Sequence, residues 1–131
     1  MTYSIELQED KRALLVTWHP DFNFLVDGEA VTRDIMTQLE TATQPIFFVN
    51  DVRQAAFTYE ELIEATNQAA RGENPMFKHP KILGAISVTT NEIVRRAAQG
   101  MDSAVFNNTK VWVVSNLDDA YAIIQQNLNT A

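Results

Sequence analysis

The chain has 131 residues, 46% of them hydrophobic, with a formal net charge of −7 and a sequence pI of about 4.7. It contains no cysteine, which excludes disulfides, thiolate metal sites and a cysteine nucleophile. Its ten basic residues do not cluster, and an acidic surface repels phosphate backbones, so nucleic acid is not an expected partner.

The length argues for a single domain, 1–131, large enough to fold around its own core. No run approaches the roughly 18 apolar residues of a membrane span, and the polar, acidic opening has no signal-peptide pattern. The expectation is a soluble, cytoplasmic protein without membrane insertion. Tyr3, Ile5 and Leu7 alternate with Ser4, Glu6 and Gln8, the pattern of a half-buried edge strand. A polar turn at 9–12 leads into the apolar strand Ala13–Trp18, so a hairpin opens the chain. His19-Pro20-Asp21 ends it, because proline cannot donate to a ladder.

Asp27 is placed as the N-cap of a helix reaching about Thr41, with Val31, Ile35, Met36 and Leu39 on its inner face. Pro45 precedes a strand at 46–49, which a polar loop at 50–56 follows. Thr58 and Glu61 form a capping box for a second helix, and Gly72 stands at its C-cap. A connector carrying Met76, Phe77 and His79 leads to the strand Ile82–Val88. Thr89 and Glu92 make a second capping box, ahead of a stripe of Ile93, Val94, Ala97, Ala98 and Met101. After the strand Val111–Val114, Ser115 or Asn116 caps a last helix with Ala120, Ile123, Ile124 and Leu128 inside.

The order β-β-α-β-α-β-α-β-α predicts an α/β fold. Its five-stranded mixed sheet is mostly parallel with an antiparallel N-terminal edge hairpin, accompanied by four helices. Central strands such as Phe47-Phe48-Val49 are apolar at consecutive positions, so both sheet faces need cover. A strictly sequential βα superhelix puts its helices mainly on one face. Either a helix crosses to the other face or a second copy covers it, which makes a homodimer an expectation.

This order, with the polar loop after 46–49, resembles the STAS-like superfamily of SpoIIAA-like, anti-sigma-factor-antagonist-type domains, which share their fold with certain lipid-binding domains. The likeness covers about 3–128, and Met76-Phe77-Lys78-His79-Pro80-Lys81-Ile82 is similar to the family's basic, aromatic lead into its penultimate strand. The resemblance implies a regulatory module that binds a protein partner. In the phospho-switch branch an Asp-Ser-(Ser/Thr)-Gly signature follows the strand. Here that stretch reads Asn50-Asp51-Val52-Arg53-Gln54-Ala55-Ala56-Phe57-Thr58, without the serine or the glycine, so no phosphosite carries over.

The candidate binding residues gather at the carboxyl ends of the parallel strands, where open α/β sheets place ligands. They are Asn50, Asp51, Arg53 and Thr58, then Thr89, Thr90 and Asn91, then Ser115 and Asn116. Turn and cap chemistry is the competing account for each of them. Phe22, Phe24, Met76 and Phe77 are candidate apolar contacts, with packing under their own loops as the competing account. His19 and His79 lack metal-ligand spacing, and no glycine-rich loop or nucleophile elbow is present. The expectation is a non-enzymatic interaction module without a metal or cofactor. The alternative is a carrier of a small apolar ligand or lipid. The third reading is a small enzyme using Asp51 and His79.

Overall fold

The computed structural model describes residues 2–55, 60, 81–92, 95, 96 and 111–129. Strands β1 (Tyr3–Gln8) and β2 (Ala13–Trp18) pair antiparallel, from Tyr3 opposite Trp18 to Gln8 opposite Ala13. A 3-10 turn at Glu9–Lys11 joins them and closes on Arg12, whose φ of 57° is left-handed and whose amide donates to the Glu9 carbonyl. Helix α1 (Phe24–Thr41) leads to β3 (Ile46–Asp51). Strands β4 (Ile82–Val88) and β5 (Val111–Val114) follow, and α2 (Leu117–Asn129) is the last helix.

The sheet runs β1-β2-β3-β4-β5, with β2 to β5 mutually parallel. The mixed sheet with one antiparallel edge is therefore as the sequence predicts. Two α-helices, rather than four, lie among the described residues. Most of the expected helix beginning at Thr58 and most of the one following Thr89 lie outside them, although Glu60 of the first is helical. Glu92, Arg95 and Arg96 are helical, and the Arg95 amide donates to the Asn91 carbonyl. That bond puts the cap position at Asn91, two residues later than the expected capping box, while Thr89 Oγ1 accepts the Asn91 amide at 3.0 Å.

Helix α1 begins three residues before Asp27. Asn23 Oδ1 accepts the Val26 amide, and Asp27 Oδ2 reaches back to accept the Asn23 amide at 3.0 Å. Asn23 is the cap, and Asp27 instead supplies the returning half of a reciprocal pair in the first turn. At the other end, Lys81 Nζ donates to the carbonyls of Leu39 and Ala42 at 2.9 Å and of Glu40 at 3.3 Å. An ammonium there adds a donor at the helix end, where the Leu39 carbonyl also accepts the Ala42 amide at 3.3 Å, and it complements the helix dipole.

Period-2 alternation sorts the strands onto two faces. Leu14, Val16, Ile46, Phe48 and Ala85 pack with Val31, Ile35 and Leu39 of α1. Ala13, Leu15, Phe47, Val49, Ile86 and Val88 pack with Ala120 and Ile124 of α2. Of the two described helices the last lies on the second face, and the argument for a dimer mate covering a bare face lapses. A register shift between β3 and β4 keeps the pattern in phase: Ile46 pairs with Ile82, but Phe47 pairs with Gly84. The extra residue, Leu83, lets Ile82 join the α1 side while Ile86 and Val88 stay on the α2 side.

Candidate functional site

The parallel strands end level with one another. Thr17, Asp51, Val88 and Val114 form one row across the sheet, and Val16, Asn50, Ser87 and Val113 form the row before it. The Val52 amide continues the ladder to the Val88 carbonyl at 3.1 Å, and the Thr89 amide continues it to the Val114 carbonyl at 2.9 Å. The strand ends that the sequence singled out therefore share one margin.

Asp51 is 5% exposed, yet it is a carboxylate. Burial of that kind needs a partner, and Arg53 supplies one two residues on. Arg53 Nε donates to Asp51 Oδ1 at 2.9 Å, Nη2 donates to Oδ2 at 2.8 Å, and the Arg53 amide also donates to Oδ1. The geometry is a two-point fork. Burial pushes the Asp51 carboxyl up, but the side-chain and backbone bonds from Arg53, with its charge, outweigh it and hold the group below its ordinary value. The guanidinium in turn is raised, chiefly by the same hydrogen bond.

Asn50 is also engaged. Its Oδ1 accepts Trp18 Nε1 at 3.0 Å, and Trp18 packs on the α1 side, where Phe22 meets it edge-on at 4.7 Å between ring centroids. Asn50 and Asp51 are consecutive strand residues, so they serve opposite faces of the sheet. The structure divides the expected Asn50–Asp51–Arg53 trio between the two faces and keeps only Asp51 and Arg53 together. An acid–base role for Asp51 meets a carboxylate already committed to a neighbouring cation.

Thr89 is 1% exposed, while Thr90 and Asn91 beside it are exposed. Ser115 and Asn116 are exposed at the end of β5. Asn116 Oδ1 accepts the Asp119 amide at 2.8 Å, which makes Asn116 the cap of α2. Among the apolar candidates, Phe22 is a core residue, 9% exposed and packed against Tyr3 and Trp18, so it is no exposed contact. Phe24 opens α1. Thr58, Met76, Phe77 and His79 lie outside the described residues. His19 Nε2 and Ser4 Oγ are 2.9 Å apart.

Trp18, the partner of Asn50, is not among the residues that the sequence pattern singles out. An indole at the last position of a strand, needing an acceptor for its N–H, was the available signal. Asp51 and Arg53, two separate ligand groups by residue type, are paired with each other in the structure. The Asp-x-Arg spacing at a strand end was the clue to an internal pair.

Among the described residues no group of three or more histidines, aspartates and glutamates is placed to hold a metal ion. No described helix is long and apolar enough to cross a membrane. No protein-family model matches the chain, and neither a curated protein nor a solved structure matches it.

Proposed function

We propose that this chain is a non-enzymatic interaction module of the STAS-like kind, without the usual phosphorylatable serine, that works in the cytoplasm. Its margin of strand ends binds a protein partner. The element order, the sequential strand order and the single antiparallel edge support the likeness. The observation that carries the functional reading is the Asp51–Arg53 fork. The charged groups at the centre of the margin are locked to each other, with the Asp51 side chain 8% and the Arg53 side chain 38% exposed. A rigid, internally neutralised platform flanked by exposed Thr90, Asn91, Ser115 and Asn116 suits recognition of a surface better than proton transfer. The lipid-carrier reading loses Phe22 to the core.

The test compares proteins captured from native lysate by the wild-type chain and by the double variant Thr90→Arg, Ser115→Arg. Both positions are exposed, so the fold is kept. A partner retained by wild type and by an exposed-helix control, Glu40→Arg, but lost by the double variant supports the proposal. Equal capture by all three overturns it. A chemical turnover abolished by Asp51→Ala would install the enzyme reading in its place.

A further inference from the structure

The outer edge of β1 is specified in atomic terms. The His19 amide donates to the Thr2 carbonyl at 3.0 Å, continuing the register in which Ser4 faces Thr17 and Glu6 faces Leu15. Thr2 is therefore one of the residues whose backbone groups turn toward β2. By alternation Ser4, Glu6 and Gln8 do the same, and the amides and carbonyls of Tyr3, Ile5 and Leu7 face outward. No described strand pairs with that edge. It carries no proline and no lysine, and Glu6 is its one charge, so the usual devices that blunt an edge are nearly absent. Ile5 and Leu7 stay half-buried, although their ladder partners Val16 and Leu14 are completely buried.

We propose that β1 pairs antiparallel with β1 of a second copy, centred on Ile5, joining two sheets into one. A two-fold axis normal to the sheet keeps the two α1 faces on the same side. Ile5 then meets Ile5, and Tyr3 meets Leu7 of the other copy, through the outward backbone groups. All three apolar side chains extend the α1-side core across the junction. On the opposite face, the closely spaced non-hydrogen-bonded pairs bring the exposed Ser4 hydroxyl against the exposed Glu6 carboxylate of the other copy. The neighbouring register, centred on Glu6, is disfavoured because it sets two carboxylates directly opposite each other. This surface is separate from the strand-end margin, so it stands or falls independently of the proposed function.

Sedimentation across a concentration series tests the register as well as the association. Wild type is expected to pass from monomer to dimer as concentration rises. Ser4→Glu sets glutamates against Glu6 at two symmetric places and is expected to raise the dimer dissociation constant roughly tenfold. Ser4→Lys sets a lysine against Glu6 and is expected to lower it several-fold. Both variants lose the same Ser4–His19 contact, and Ser4 is exposed, so thermal unfolding should be alike. A wild-type chain that stays monomeric to millimolar concentration overturns the proposal. So does a dimer that the two variants do not move in opposite directions.

Discussion

At the scale of single residues, Arg53 lets Asp51 stay charged while nearly buried. Removing the guanidinium leaves the carboxylate to choose between an unpaired buried charge and protonation. Arg53→Ala is expected to destabilise the fold by about 1–2 kcal/mol near neutral pH, a range kept low because Arg53 is partly exposed. The sign with pH follows from the depressed Asp51 pKa. In wild type the pair's contribution is present above the ordinary aspartate value and fades as pH falls through the lowered one. In Arg53→Ala the residue-53 amide still donates to Asp51, but burial, the largest single influence, outweighs that one bond, so stability should instead improve on acidification through that range. Thermal melts from pH 3 to 7 check this, with ~1 pH-unit spacing. Tyr3 gives the alkaline counterpart. Its hydroxyl donates to Asp34 Oδ2 at 2.6 Å, and that bond, then burial, then the Asp34 charge push the phenol from 10.0 up to about 12. The neutral phenol is the favoured form, so its contribution is intact below pH 10 and is lost as pH climbs toward 12. Tyr3→Phe should cost about 1 kcal/mol at neutral pH and flatten that alkaline loss, read as a weaker fall in melting temperature with pH.

At the scale of elements, α1 shows how much a local reading recovers. The inner stripe of Val31, Ile35 and Leu39 was legible because its spacing is the helix period itself, and all three are buried. The start was misplaced because Asp27 and Asn23 are both good caps, and which one acts depends on how the chain leaves Phe22 in the core. The far end was invisible locally, since its cap, Lys81, arrives forty residues later in sequence. The bulge at Leu83 was equally hidden: a strand of consecutive apolar residues has no phase to break. Glu9 is another nonlocal clasp, accepting the Thr43 amide and hydroxyl at 2.8 and 2.9 Å, which with the nearby Lys81 charge lowers its pKa. Lys81→Met keeps the aliphatic length and removes the donors. It should lower stability by about 1 kcal/mol, and Asn23→Ala by a similar amount at the opposite end. Hydrogen exchange should locate the two losses in the last and first turns of α1 respectively. Protection lost evenly along the helix would argue against two separate caps.

At the scale of the whole molecule, the question left open by the sequence was what covers the second face of the sheet. Leu14 and Val16 alternate with Ala13 and Leu15, and Phe48 with Phe47 and Val49, so the need for two covers was plain. The side taken by the last helix was not. The handedness rule governs crossovers between parallel strands, and a helix after the final strand of the sheet has no next strand to obey. The structure gives that face to α2, which runs back to the opening hairpin. There Tyr121 donates its hydroxyl to Gln8 Oε1 at 2.8 Å, and Lys11 Nζ sits 4.5 Å from the Tyr121 ring centroid. Deleting everything after Asn116 would uncover Phe47, Val49, Ile86 and Val88 together, an apolar area no small domain tolerates in water. The truncated chain is expected to lose its cooperative melt and bind a hydrophobic dye. Ile124→Ala, a milder cut at a completely buried position, should cost about 2–4 kcal/mol while preserving the fold. A truncated chain that still unfolds cooperatively would mean that something other than α2 protects that face, and the case for a covering second copy would reopen.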